Sequence, residues 1–292
     1  MNRAYVSPYK QMLQRIMHEG VWITNKRTGQ RCLTLINHDM TFNARDPAPV
    51  NTLREMNYEF AWGEMLGYWR ACDNAVDFEK AGTKTWYFNA NETEGWLKNP
   101  HRKGPNDLGI IYGGIARNWP VHGVQGKTLD LYRSVYENIL AGDDDRGQII
   151  TFWNPGMHHL GALRACMYEY QFSLLGDDLY VNSTQRSADT ALGVAANIVQ
   201  CHSMLHLMAR ITKKNPMRAF HRMVNCHIYE NQMEAVEKML ARDDIPLKTG
   251  EGMLSISDRI QTFEDVEKIM TPRDFILTPY ESHPKIYVPY AA

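Results

Sequence analysis

LRACMYEYQF, residues 163–172, is the stretch on which the reading of the fold turns. From residue 166 to 174, Cys166, Tyr168, Tyr170, Phe172 and Leu174 fall on alternate positions, the signature of a strand with one face turned to a core. The cysteine is the odd member of that face. A thiol on an apolar strand usually serves as a small hydrophobe, and the strand alone says no more than that. Gly176-Asp177-Asp178 then turns the chain, and LYVNSTQR (179–186) returns as a second strand. Upstream, QIITFWN (148–154) reads as a short buried strand.

Downstream, VAANIVQCHSMLHLMARIT (194–212) is apolar nearly all round, which marks a helix buried in a larger core. FHRMVNCHIY (220–229) reads as a strand, and Asn231 is placed to cap a helix carrying Met233, Val236 and Leu240. Toward the N-terminus, Ser7-Pro8 opens a helix (Tyr9, Met12, Leu13, Ile16) that Gly20 stops. CLTLINHDMTF (32–42) suggests a hairpin turning at Asn37-His38-Asp39. Residues 52–70 suggest a helix with Leu53, Met56, Phe60 and Met65 inward, 87–107 a loop or insertion, and 128–140 a helix ending at Gly142. Long loops and mixed elements without βαβ regularity predict one α+β domain over residues 1–292.

Charge and composition exclude several classes. Lys+Arg (32) and Asp+Glu (33) nearly cancel, leaving −1, so no electrostatic footprint for nucleic acid or an anionic membrane is expected. No apolar run approaches the roughly 18 residues of a membrane span, and MNRAYVSPYKQ lacks the apolar core of a signal peptide. Five widely spaced cysteines without a CxxC pair argue against a disulfide framework or a zinc ribbon and suit reduced thiols in a cytoplasm. His202 and His206 have metal-ligand spacing on a helix but no third ligand in sight, so buried, hydrogen-bonded histidines are expected and no metal. Gln185-Arg186-Ser187-Ala188-Asp189, between a strand and a helix, suits an anion, as does Arg27-Thr28-Gly29.

Order along the chain gives these fragments a common meaning. Arg27-Thr28-Gly29, Glu59, Trp86, Asp107-Leu108-Gly109 with Tyr112-Gly113, Arg146, Trp153-Asn154, Cys166, Gln185-Arg186-Ser187 with Asp189, Leu192-Gly193, Asn197, His227-Ile228-Tyr229 and His283-Pro284 follow one another. This series resembles the thymidylate synthase superfamily over essentially the whole chain, and without a gap from Trp153 to Tyr229.

The resemblance implies a mixed β-sheet with flanking helices, a sheet-to-sheet homodimer, and one-carbon transfer from 5,10-methylenetetrahydrofolate to C5 of dUMP. C5 of uracil is a poor nucleophile, and thiolate attack at C6 turns it into an enolate carbon. Cys166 would be that nucleophile, with Arg186 favouring its thiolate. Arg27, Gln185, Arg186 and Ser187 would surround the 5′-phosphate, joined by Arg146 from the second subunit. His227 and Tyr229 would take the deoxyribose hydroxyl. Glu59 would order proton-carrying waters, and Tyr112 would help remove the C5 proton. Asn197 would read the pyrimidine N3–H and O4. Asp189 would contact the pterin in a slot lined by Trp86, Leu163, Leu192 and Gly193, with the tail at Tyr290 closing over the folate.

Four departures from the synthase pattern bear on the product. Met167 stands where a His is usual, Asn89 replaces an aromatic, Ala196 a Phe, and Gly147 the second Arg of the inter-subunit pair. A more open, more polar shell admits water, so the expected product is 5-hydroxymethyl-dUMP, as in the phage hydroxymethylases, with thymidylate synthesis the alternative. Hydroxymethylases acting on deoxycytidylate carry Asp where this chain has Asn197, an amide better suited to uracil. That reading would fit a phage that modifies its thymine positions, with the enzyme cytoplasmic, in the host's cytoplasm if phage-encoded.

Overall fold

The computed structural model describes residues 6–26 and 29–290. Its strands are β1 (Val21–Thr24), β2 (Arg31–Asn43), β3 (Trp119–Pro120), β4 (Thr128–Leu129), β5 (Ile149–Thr151), β6 (Met167–Leu175), β7 (Asp178–Gln185), β8 (Ala188–Asp189), β9 (Asn215–Tyr229), β10 (Leu254–Ile256) and β11 (Phe275–Leu277). The helices are α1 (Pro8–Glu19), α2 (Glu59–Trp69), α3 (Ala75–Ala81), α4 (Tyr87–Asn91), α5 (Glu94–Leu97), α6 (Gly113–Ala116), α7 (Leu131–Ala141), α8 (Val194–Thr212), α9 (Met233–Leu240) and α10 (Phe263–Lys268).

Seven strands form the main sheet in the order β1-β2-β9-β7-β6-β5, with β8 also paired to β9. The β7–β9 and β8–β9 pairings are parallel and the others antiparallel, so the sheet is mixed, as the resemblance implied. Alternation along β9 turns Ala219, His221 and Met223 inward and leaves Arg218 and Arg222 exposed on the far face. Helix α8 packs along the inner face, buried on nearly every side, which is why its sequence lacks an amphipathic stripe. Of the described residues, no helix is long and apolar enough to cross a membrane.

Several expectations are corrected by tertiary pairing. The stretch 32–42 is one continuous strand. Asn37 adopts φ 62° for a single residue, an excursion Asn tolerates, while pairing to β9 resumes on both sides. The hairpin partner of β2 is instead β1. The helix expected from residue 52 starts at Glu59, because Asn51 Oδ1 accepts the Leu53 N–H (2.9 Å) and Tyr58 Oη accepts the Asn51 N–H (2.7 Å), holding a turn that competes with helix. Leu53 is buried from that turn, while Phe60 is 48 % exposed. Residues 87–107, read as a loop, contain α4 and α5, and α9 begins after Gln232 rather than from an Asn231 cap.

Candidate functional site

Cys166 lies immediately before β6 rather than within its alternation. A bulge between Met167 and Glu169, opposite Gln185 and Thr184 of β7, resets the phase, so Tyr170, Phe172 and Leu174 point inward together with Met167. The bulge detaches the cysteine from the packed face and leaves it half-buried. Its backbone N–H donates to Tyr112 Oη at 2.9 Å, and its carbonyl accepts the Arg186 N–H at 2.8 Å. The Arg186 guanidinium donates to the carbonyls of Ala165 (2.9 Å) and Arg164 (3.2 Å) and lies over the Trp153 ring at 5.0 Å. Residues 164–166 and Arg186 are thereby locked to one another.

Behind the thiol stands an aromatic wall. Tyr112 stacks on Tyr68 (ring centroids 4.3 Å apart), and both meet Trp86 edge-on, at 5.7 and 6.2 Å. Phe152 closes the wall against Tyr112 at 5.4 Å. Burial pushes the Tyr68 and Tyr112 hydroxyls well above the ordinary phenol range, so both stay protonated. Tyr112 sits at φ 33°, and the next residue must be glycine: a Cβ on Gly113 would lie 1.8 Å from the Tyr68 carbonyl oxygen.

The carboxylate that meets this wall is not Glu59. Glu59 is exposed at the first turn of α2. Five residues later on the same helix, about 140° around its axis, Glu64 faces inward. Gln200 Nε2 donates to Glu64 Oε2 at 2.9 Å. Burial raises the Glu64 pKa, opposed by Gln200 and by the Tyr68 and Trp86 side chains that turn toward it. Both glutamates lie in one segment, and only the helix start, masked by the turn at 51–58, decides which faces the site.

Asn197, on the first turn of α8, is held from two sides. Gln185 Nε2 donates to its Oδ1 (3.1 Å), and its Nδ2 donates to Gln200 Oε1 (2.9 Å). Gln185 is thus turned inward, 3 % exposed, rather than toward an anion; its second N–H goes to the Ser187 carbonyl (3.0 Å). Gly193 lies directly beneath: a Cβ there would meet Asn197 Oδ1 at 3.5 Å. Gln200, which carried no signal as a lone polar residue on an apolar helix, is a residue that sequence reasoning missed.

Asp189, on β8, accepts the Leu192 N–H (3.0 Å) and a Gln232 Nε2 hydrogen (3.0 Å), and burial raises its pKa. Gln232 also donates to the Pro289 carbonyl at 3.1 Å, tying the C-terminal tail to the same carboxylate. The tail lies along the body: Val288 is buried and the Tyr290 ring meets Phe88 at 4.7 Å. At the end of β9, His227 and Tyr229 rings pack edge-on at 5.0 Å. Burial lowers the His227 pKa, and its Nδ1 donates to Asn225 Oδ1 (2.9 Å), leaving Nε2 as an acceptor. Leu163 and Leu192 are half-buried, and Ser187 follows Arg186 at the strand end. Arg146 is exposed in a turn at φ 68°, not gathered with the others. Arg27 and Thr28 lie outside the described residues.

The hydrogen bonds expected of His202 and His206 are largely missing. Their rings lie 4.6 Å apart, and neither His202 nitrogen nor His206 Nε2 has a hydrogen-bond partner. Burial lowers them to about 4 and about 3. Among the described residues no group of three or more His, Cys, Asp or Glu side chains is placed to hold a metal ion.

The thymidylate synthase family model matches residues 7–292. Proteins named thymidylate synthase from Mannheimia succiniciproducens, Pasteurella multocida and Glaesserella parasuis are 47 %, 46 % and 45 % identical over 285 residues, covering 97 % of this chain and 99 % of theirs. The chain belongs to the thymidylate synthase family. It is therefore a one-carbon transferase, with methylenetetrahydrofolate as co-substrate.

The expectation of a hydroxymethylated product is overturned by these relatives, each named a thymidylate synthase. The phage host and the modified thymine positions rested on that product and fall with it. Met167 is only 5 % exposed and keeps apolar bulk beside the thiol, and Trp86 is 4 % exposed within the aromatic wall. Tyr68, Tyr112 and Phe152 pack with Trp86 in that wall.

Proposed function

We propose that the enzyme converts dUMP to dTMP, taking both carbon and reducing equivalents from methylenetetrahydrofolate. The observation that carries this is the near full-length match to thymidylate synthases, together with the thiol of Cys166 set against a dry aromatic wall. When bound, the folate supplies a one-carbon unit and the hydride that reduces it to methyl. The chain's own residues do the rest. Cys166 attacks C6 of the uracil, which needs the thiolate. Tyr112 holds the Cys166 backbone and stands by for the C5 proton. Glu64, in the role expected of Glu59, handles protons around C4 and C5, its pKa raised by burial.

Asn197 accepts from N3–H and donates to O4. Arg186 and Ser187, with Arg27, hold the phosphate, and His227 Nε2 accepts from the sugar hydroxyl beside Tyr229. Asp189 contacts the pterin in the slot bounded by Trp86, Leu163, Leu192 and Gly193, with Tyr290 above it. A homodimer packed through the outer sheet face is supported by Ile36, 55 % exposed there, and by the exposed Arg146, free to reach a second subunit's phosphate site.

One assay tests the reaction. With dUMP and methylenetetrahydrofolate, dTMP and dihydrofolate form in equal amounts, and Cys166→Ser abolishes both. Tetrahydrofolate with 5-hydroxymethyl-dUMP, or undiminished turnover by the serine variant, refutes the reading.

A further inference from the structure

A one-way chain of hydrogen bonds crosses the core from β7 to α2. Ser183 Oγ and His221 Nδ1 are 2.6 Å apart, and His221 Nε2 and Gln185 Oε1 are 3.0 Å apart. Gln185 Nε2 then donates to Asn197 Oδ1, Asn197 Nδ2 to Gln200 Oε1, and Gln200 Nε2 to Glu64 Oε2. Two backbone carbonyls fix every amide in the chain, because a carbonyl only accepts. Gln185 Nε2 is claimed by Ser187 O, so its Oε1 must face His221, which then carries its proton on Nε2. Gln200 Nε2 is claimed by Ala61 O at 2.9 Å, so its Oε1 must face Asn197. Asn197 therefore has one orientation available: oxygen toward β7, nitrogen toward α2. A flip would set its NH2 against the Gln185 NH2 and its oxygen against the Gln200 oxygen.

We propose that Gln200 is a positioning residue for base specificity, locking the Asn197 amide in the uracil-reading orientation and joining it to the Glu64 carboxylate. This rests on the proposed dUMP reaction and deepens it. With one N–H and one lone pair committed within the protein, Asn197 offers one donor and one acceptor outward, in fixed order. Uracil N3–H and O4 match that order. Cytosine, with an acceptor at N3 and a donor at N4, meets donor with donor and acceptor with acceptor. Gln200 is 1 % exposed and touches no substrate itself. It also ties base reading to proton handling: its N–H favours ionised Glu64, against burial. The titratable groups facing that carboxylate are Tyr68 on its own helix, Tyr112 before α6 and Tyr170 on β6, all phenols whose pKa burial raises.

Two variants separate the two jobs. Gln200→Met keeps the volume and removes the side chain's three hydrogen bonds, to Asn197, Glu64 and the Ala61 carbonyl. Its preference for dUMP over dCMP, read as the ratio of dissociation constants measured by calorimetry, is expected to fall about tenfold, one lost orienting bond. The acidic limb of its kcat/KM profile moves to higher pH. Gln200→Glu still accepts from Asn197 but puts a second carboxylate beside Glu64. It is expected to keep the base preference while moving the acidic limb up further. Melting curves confirm that each variant folds. Unchanged dUMP/dCMP selectivity in a folded Gln200→Met overturns the proposal. Failure of the wild-type enzyme to convert dUMP overturns instead the reaction on which it rests.

Discussion

Tyr112 Oη accepts the backbone N–H of Cys166 at 2.9 Å, so the ring that walls the site also fixes where the thiol stands. The bond spans 54 residues of chain and ends on a residue held at φ 33°, ψ −104°. Strain at Tyr112 is offset by stacking on Tyr68 and by the close approach that Gly113 permits.

Removing the hydroxyl isolates the consequence. Tyr112→Phe keeps the stack but leaves the Cys166 N–H unpaired, at about 1–3 kcal/mol if it stays desolvated. The expected result is a kcat/KM for dUMP lowered at least about tenfold, with a modest loss of melting temperature. Wild-type kinetics in this variant would show that the thiol's position does not depend on the bond.

The two glutamates of α2 make opposite predictions. Glu64→Gln is expected to lower kcat by about 10²–10⁴, the range of a lost general acid or base, whereas Glu59→Gln leaves it unchanged. The pH profile carries the same sign. Burial raises the Glu64 pKa, so it protonates above the ordinary glutamate range, and a rate needing the carboxylate declines with acid earlier than 4.5. A large loss in Glu59→Gln with a mild one in Glu64→Gln would reverse the assignment.

Gln232 joins the Asp189 carboxylate to the Pro289 carbonyl, so Gln232→Leu should free the tail and raise the Asp189 pKa further. The KM for the folate is expected to rise about tenfold with a smaller change for dUMP. Limited proteolysis reads the tail directly: cleavage after Tyr287 or Tyr290 should quicken. Equal rates in variant and wild type would show the tail to be held elsewhere.

His202 is fully buried, beside the His206 ring and the Asn43 backbone, and neither of its ring nitrogens has a hydrogen-bond partner. Its folded pKa falls from 6.5 to about 4. The unfolded chain therefore binds the extra proton first as pH drops. Stability is complete above about 6.5 and is lost toward 4, at about 1.4 kcal/mol per pH unit within that window. His202→Leu is expected to flatten the fall of the melting temperature between pH 6.5 and 4 at no cost at pH 7. A slope equal to wild type would mean the imidazole titrates normally in the fold.

Alternation and turn residues made β6, β7 and β9 legible, and α8 was bounded correctly at 194–212 because its apolar run is long and unbroken. The order of Cys166, Arg186, Asn197 and His227 along the chain was enough to bring the family into view. Local signals failed where a distant contact decided the outcome. Asn37 looks like a turn, and pairing with β9 overrules it. Asn51 and Tyr58 delay α2 by seven residues, and the rotation of the helix that follows turns Glu64 inward and leaves Glu59 exposed.

Sequence by itself therefore determined the family and most of the main-sheet strands with α8, since these rest on residue types in a fixed order. Only the tertiary structure decided which glutamate turns inward, which rings pack beside the thiol and how the Asn197 amide is oriented. Those depend on a helix's rotation, on the bulge before β6 and on carbonyls that can only accept, relations between residues far apart in the chain that no local pattern encodes.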